Sequence, residues 1–262
     1  MFSFQHQVAF ITGAGSGIGR STALAFAEAG AKVVVSDVNE PGGRETVDQI
    51  RQKGGEAVFI SCNVASATEV DNAVRQTVET YGRLDIGINN AGIGGEFARL
   101  TDQSPEAWNQ MLAVNLSGVF YCMQAEIRQM LTQGSDHPAG GHPAGGKIVN
   151  ISSIAGVRGM PMGAPYSAAK HGVLGLTKTA ALEYVKQNIR VNAVCPVYTH
   201  STMVHDLMNI APGMEEKMRR VIPLGRFGQP EEIAQAILWL CSDENAFCTG
   251  QAIQMDGGLT AG

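Results

Sequence analysis

Thr12-Gly-Ala-Gly-Ser-Gly-Ile-Gly19 follows directly on the apolar run Gln7–Thr12 and leads into an Ala-rich stretch that ends at Gly30. The order is strand, glycine-rich turn, helix. Glycine allows a turn too tight for a side chain and lets another molecule come close to the backbone. The helix start behind the turn leaves N–H groups without intrahelical partners, so the segment is suited to hold an anion. A glycine-rich turn alone is a weak signal, and its place between strand and helix gives it meaning. The alternation then continues. Strand-like runs recur at Lys32–Asp37, Glu56–Ser61, Leu84–Ile88, Lys147–Ser152, Ile189–Val194 and Gln251–Gln254. Helical patterns cover Gly17–Gly30, Asp71–Tyr81, Pro105–Met130, Tyr166–Gln187 and Pro230–Leu240. This predicts an α/β fold, a doubly wound parallel sheet of about seven strands with helices on both faces.

The bulk properties agree with a globular chain. Its 262 residues include 44% hydrophobic and 16% charged side chains, enough apolar mass for a substantial core. No linker divides the sequence, which reads as one domain over 1–262. The formal charge of −5 gives no sign of a nucleic-acid or anionic-membrane partner. No apolar run approaches the roughly 20 residues of a membrane span, and the N-terminus lacks the pattern of a signal peptide. The five cysteines form no Cys-x-x-Cys pair, which predicts reduced thiols, a cytoplasmic setting and no metal site. One oddity is the tandem His137-Pro-Ala-Gly-Gly141 and His142-Pro-Ala-Gly-Gly146, read as a short loop duplication rather than a metal site.

Asp37 closes the second strand, eighteen residues after Gly19. A carboxylate there accepts hydrogen bonds from both hydroxyls of an adenosine ribose and repels a 2′-phosphate. Position 38 is Val, and Ser16 fills the turn position where a cation would neutralise that phosphate. The pattern predicts NAD(H) rather than NADP(H). Further along, Tyr166 and Lys170 stand four residues apart and so share a helix face, with Ser153 thirteen residues upstream of Tyr166. A free tyrosine, with a pKa of about 10, is a poor acid or base at neutral pH. An ammonium beside it favours the phenolate, and the pair can then exchange a proton with an alcohol or ketone oxygen. Ser153 can donate a hydrogen bond to that same oxygen. The Tyr-x-x-x-Lys spacing is common by chance and gains its weight from the glycine turn.

Together, Thr12–Gly19, Asp37, Asn89-Asn90-Ala91-Gly92, Asn115, Ser153, Tyr166 and Lys170 resemble the short-chain dehydrogenase/reductase family over nearly the whole chain, ending in Thr249-Gly250 and Met255-Asp-Gly-Gly258. The resemblance implies a Rossmann-type sheet and an oxidoreductase that interconverts a secondary alcohol and a ketone. It implies that Gly13, Ser16, Gly17, Ile18 and Gly19 hold the cofactor pyrophosphate, and that Asn63 and Val64 lie at the adenine. It further implies that Asn90 braces the sheet near the cofactor ribose, and that Pro196, Thr199 and Ser201 lie by the nicotinamide. Tyr166 would be the acid/base, with Lys170 lowering its pKa and holding the nicotinamide ribose. Ser153 would orient the carbonyl. Asn115 would kink a helix and hold a water for proton relay. Asn63 stands where Asp is usual, with its amide oxygen still an acceptor. Val197 stands where the family has Gly after Pro196; Val disfavours positive φ, which predicts a loop that runs differently.

The stretch Tyr198–Ile222 resembles the family's substrate loop and carries Met203, Leu207, Met208, Ile210 and Met214, with Met160 and Met162 just past Ser153. Methionine-rich surfaces suit varied apolar ligands, although the same residues can simply pack a flap. An apolar alcohol or ketone is the expected substrate. A 3-oxoacyl-carrier-protein reductase is the alternative, disfavoured by Asp37 and net acidity but kept open by Arg128, Arg158 and Lys178. Sugar or steroid dehydrogenases, and remotely a non-catalytic NAD-binding regulator, complete the alternatives. The family implies a homotetramer.

Overall fold

The computed structural model describes residues 2–133, 145–208 and 212–261. Most of the histidine tandem and Ile210 lie outside the described residues. Seven parallel strands form one sheet in the order β3-β2-β1-β4-β5-β6-β7. They are β1 (Val8–Thr12), β2 (Lys32–Asp37), β3 (Glu56–Ser61), β4 (Ile86–Asn89), β5 (Gly146–Ile151), β6 (Ile189–Pro196) and β7 (Ala252–Met255). The order reverses between β1 and β4, and in doubly wound sheets ligands bind outside the strand ends at that point.

Alternation along the strands supplies both faces. Ala9 and Ile11 of β1, Val33 and Val35 of β2, and Ile86 and Ile88 of β4 enter one core. Phe10, Val34 and Ile148, their out-of-phase neighbours, enter the other. Helices α1 (Gly17–Glu28), α2 (Glu40–Gln52) and α9 (Pro230–Cys241) cover the first face. Helices α3 (Ala67–Tyr81), α5 (Gly118–Thr132) and α6 (Ala164–Tyr184) cover the second. Helix α4 (Pro105–Leu112) packs against α6. Among the described residues, no helix is long and apolar enough to cross a membrane.

Element bounds shift by one to four residues, and three departures from the sequence reading have a clear physical cause. Helix α2 is not among the helical patterns read above; its first turn holds Pro41-Gly42-Gly43, with low helix propensity. It forms because the Asn39 side chain accepts from Gly42 N at 3.3 Å and Pro41 sits at the first turn, where its missing N–H costs nothing. Gly43 is required by packing: an added Cβ would lie 2.2 Å from the Phe59 ring. The predicted helix Pro105–Met130 is interrupted by a π-helical turn over Ala113–Ser117, centred on Asn115. Such single turns of wider winding mark functional sites in many helices. The fourth strand begins at Ile86 and not at Leu84, whose N–H goes instead to the Gln133 side chain at 2.6 Å.

Candidate active site

A cavity of about 590 Å³ opens at the C-terminal ends of the strands, across the switch point. That is within the usual range for a small-molecule or cofactor site, roughly 300–1,000 Å³. Gly13, Ser16, Gly17, Ile18, Asp37, Asn63, Val64 and Asn90 line one end. Ser153, Tyr166, Lys170, Pro196, Thr199 and Ser201 line the other. Of the residues singled out by sequence, Gly19 and Asn115 lie behind the wall and support it.

The glycine turn is shaped by close contacts. Gly13 has a left-handed backbone (φ 63°), and an added Cβ would come within 2.8 Å of Ala91 Cα. At Gly19 it would lie 2.2 Å from Gly13 O, so the helix packs directly on the turn. Asn90 Nδ2 donates to Thr12 O at 2.9 Å and to Gly13 O at 3.0 Å, tying β4 to the turn. Ser16 precedes α1 without a side-chain cap bond, which leaves the first N–H groups of a twelve-residue helix facing the cavity. Asp37 Oδ2 accepts from Gly15 N and Oδ1 from Asn39 N, each at 2.8 Å. Asp37 is therefore held at the cavity edge. Lys170 and Arg158, the cations among the cavity's lining residues, belong to the far end. Arg20, the nearest cation in sequence to the turn, is committed to Gly15 O at 2.6 Å and to Glu45 at 2.7 Å. These features fit a dinucleotide: free N–H groups for the pyrophosphate and a fixed carboxylate for a ribose. Asn63 Oδ1 accepts from Ala65 N at 3.0 Å and retains a second lone pair.

At the other end, α6 places Tyr166 and Lys170 one turn apart behind the end of β5. Lys170 is buried; its Nζ donates to Ile151 O at 2.7 Å and lies 5.6 Å from the centre of the Tyr166 ring. Two ammonium protons remain for other partners. Burial dominates the electrostatics of both groups. It lowers the Lys170 pKa to about 8, with Cys195 working against it. It pushes the Tyr166 phenol above its ordinary 10, and the hydrogen bond with Ser153 opposes this. The phenol thus lies above its ordinary value and not below it, as the resemblance implied, because desolvation outweighs the Ser153 hydrogen bond.

Asn115 is fully buried in the π turn. Its Oδ1 accepts from Ile93 N and its Nδ2 donates to Ile93 O, each at 2.8 Å. The side chain therefore clamps the Ile93–Gly94 loop, which lines the cavity. Beyond Pro196, Val197 adopts no positive φ and is buried with Val204, Met218, Ile222 and Phe227. It anchors the flap formed by α7 (Thr202–Met208) and α8 (Met214–Arg220). The Thr199 hydroxyl donates to Val197 O at 3.0 Å, and Ser201 Oγ accepts from Val204 N at 3.3 Å. Of the methionines noted in sequence, Met160 and Met203 line the cavity, whereas Met208 and Met214 pack the flap. Tyr198 and Val221, from the predicted substrate loop, also line the wall, as do Ile93, Phe97 and Leu259, which carried no sequence signal of their own.

Comparison with known proteins finds relatives over nearly the whole chain. A family model described as enoyl-(acyl carrier protein) reductase matches residues 13–260. A cyclohexanol dehydrogenase from Acinetobacter sp. is 44% identical over 258 residues, covering 98% of this chain and 96% of the relative. A 3-oxoacyl-[acyl-carrier-protein] reductase from Synechocystis sp. is 41% identical, covering 99% of each chain. The crystal structure of a 2-deoxy-D-gluconate 3-dehydrogenase homologue from Agrobacterium tumefaciens, with bound NADP, superposes with a TM-score of 0.88 at 32% identity, covering 100% of this chain and 99% of that one.

Proposed function

The chain belongs to the short-chain dehydrogenase/reductase family, and from that premise we propose that it is an NAD(H)-dependent enzyme interconverting an apolar secondary alcohol and its ketone. The observation that carries the reading is one cavity with Asp37 at one end, Tyr166, Lys170 and Ser153 at the other, and an apolar flap over the second. The nicotinamide cofactor, when bound, supplies or accepts the hydride. The protein's own residues manage position and protons. Ser153 donates to the substrate oxygen. Tyr166 gives that oxygen a proton on reduction and takes it back on oxidation. Lys170 holds its ammonium between Ile151 O and the cavity, while Asn115 fixes the Ile93 wall. The apolar walls supplied by Ile93, Phe97, Met203, Leu207 and Val221 favour an apolar substrate body. The cyclohexanol-acting relative supports this choice.

Loss of reduced-nicotinamide absorbance with a panel of small ketones tests the activity. No turnover of any ketone, cyclic or open-chain, with either cofactor would remove the reading. The relative that acts on an acyl-carrier substrate keeps 3-oxoacyl reduction as the second reading, and the same assay with a 3-oxoacyl thioester separates the two. The exposed Trp108, Phe120, Leu182 and Trp239 support a homotetramer, and the free thiols support a cytoplasmic setting.

Cofactor choice has its own test. Asp37→Ser combined with Val38→Arg exchanges a repulsive carboxylate for a cation at an exposed position. Each change is worth roughly tenfold, so the NADPH/NADH ratio of kcat/KM should rise on the order of 100-fold. A wild-type protein that already favours NADPH overturns the NAD assignment.

A further inference from the structure

Arg158 follows Ser153 by five residues, and its main-chain N–H closes a turn on Ile154 O at 3.1 Å. This places it about one turn beyond Ser153, on the segment that carries the catalytic serine. Its guanidinium lines the mouth of the cavity and is exposed there. Tyr198 lines the same cavity and is half-buried, with its ring edge-on to Phe227 at 6.2 Å. Burial raises the Tyr198 phenol pKa, and the charge of Arg158 opposes that rise. Among the described residues, neither the Arg158 guanidinium nor the Tyr198 hydroxyl has a hydrogen-bond or ion-pair partner. Asp37 is the one carboxylate among the lining residues, and it sits at the adenosine end. The substrate half of the cavity therefore has apolar walls, a proton-handling group at its base and two unsatisfied donors at its mouth.

We propose that Arg158 and Tyr198 form a second binding point for the substrate, which takes a hydrogen-bond-accepting oxygen remote from the reacting carbonyl. The preferred substrate is thus bifunctional: an apolar ketone or alcohol that also carries a carboxylate or a second carbonyl. A planar guanidinium is matched to a carboxylate, and a phenol serves either acceptor. This deepens, and rests on, the ketone–alcohol reading of the site.

Three probes of similar shape separate the cases: cyclohexanone, cyclohexane-1,4-dione and 4-oxocyclohexanecarboxylate. Wild-type kcat/KM should be about tenfold or more higher for at least one bifunctional probe than for cyclohexanone. A gain confined to the carboxylate names an anionic group; a gain for both names a neutral acceptor as sufficient. Arg158→Met should cut the carboxylate-to-cyclohexanone ratio by roughly 10- to 100-fold, and Arg158→Glu should invert it. If the gain is shared by the dione, Tyr198→Phe should narrow the dione-to-cyclohexanone ratio. A ratio within one variant is insensitive to the fraction of folded enzyme. Calorimetric titration of the NADH-loaded protein with cyclohexanecarboxylate reads the same contact without chemistry. The proposal falls if the three ketones are turned over alike, or if that ligand binds wild type and Arg158→Met equally. Failure of every ketone to react, with cyclohexanecarboxylate binding that needs Arg158, would instead fault the reaction assigned to the site.

Discussion

Replacing Tyr166 by phenylalanine should lower kcat by about 10²- to 10⁴-fold, the usual contribution of a positioned acid or base, while NADH affinity changes by no more than a few-fold. The ring and its contact with Lys170 survive the change, and only the hydroxyl is lost. The cofactor end of the cavity, built by the glycine turn, Asn90 and Asp37, is untouched. Fluorescence titration with NADH and steady-state turnover of one ketone separate the two effects. The pH profile gives a second check. The phenol is pushed above 10, so it is protonated at neutral pH and ready to donate. Reduction should be nearly flat from pH 6 to 7 and should decline as pH rises through about 8, where Lys170 loses its charge. Oxidation needs the phenolate and should climb with pH over the same range. A Phe variant that keeps turnover within tenfold of wild type would remove Tyr166 from the chemistry.

The parts of this molecule that were legible in sequence are those decided by short-range spacing. β2 and β3 match their predicted bounds because each is a run of β-favouring residues ended by Asp37 and Ser61. Tyr166 and Lys170 are one helical turn apart, and Gly13–Gly19 is one turn between strand and helix, so their juxtaposition needs no tertiary information. Helix α2 was hidden because Gly42-Gly43 has low helix propensity, and the reason for Gly43, the Phe59 ring, lies on β3. The substrate wall was only partly visible for the same reason. Ile93 and Phe97, Val221, and Leu259 come from three separate segments that meet only in the folded chain. Val197 shows the converse case. Its departure from the family pattern predicted a loop that runs differently, but not that the side chain itself would be buried in the flap core.

Glu126 was equally invisible in sequence, one of two charged residues on α5 with nothing in its spacing to set it apart from Arg128, and it leads to the largest expected change in stability. It is fully buried. Its Oε2 accepts from Asn89 Nδ2 at 3.1 Å, while its Oε1 and Asn89 Oδ1 have no partner among the described residues. The space it fills exists because residue 87 is glycine, where an added Cβ would lie 2.4 Å from the carboxyl carbon. Asn89 also donates to Asn150 Oδ1 at 2.9 Å, and Asn150 to Thr177 Oγ1 at 2.9 Å, so the acid terminates a buried polar chain linking β4, β5 and α6. Burial raises its pKa from 4.5 to about 8, against the pull of the Asn89 hydrogen bond. Between those two values the folded protein binds more proton than the unfolded chain. The contribution to stability is therefore complete below about pH 4.5, falls by up to about 1.4 kcal/mol per pH unit as pH rises, and levels off above about 8. The integrated loss is on the order of 5 kcal/mol. Glu126→Gln keeps the shape and the acceptor, supplies an N–H donor, and removes the titration. Its stability should match or trail wild type at pH 5 and exceed it by several kcal/mol at pH 9, a Tm difference of roughly 10 °C at the high-pH end. Other groups titrate in both proteins, so the difference between the two urea or thermal curves across pH isolates Glu126. If the two proteins keep a constant separation from pH 5 to pH 9, Glu126 is already ionised in the folded state, and the orphaned Oε1 and Asn89 Oδ1 must be satisfied in some other way than by a shared proton.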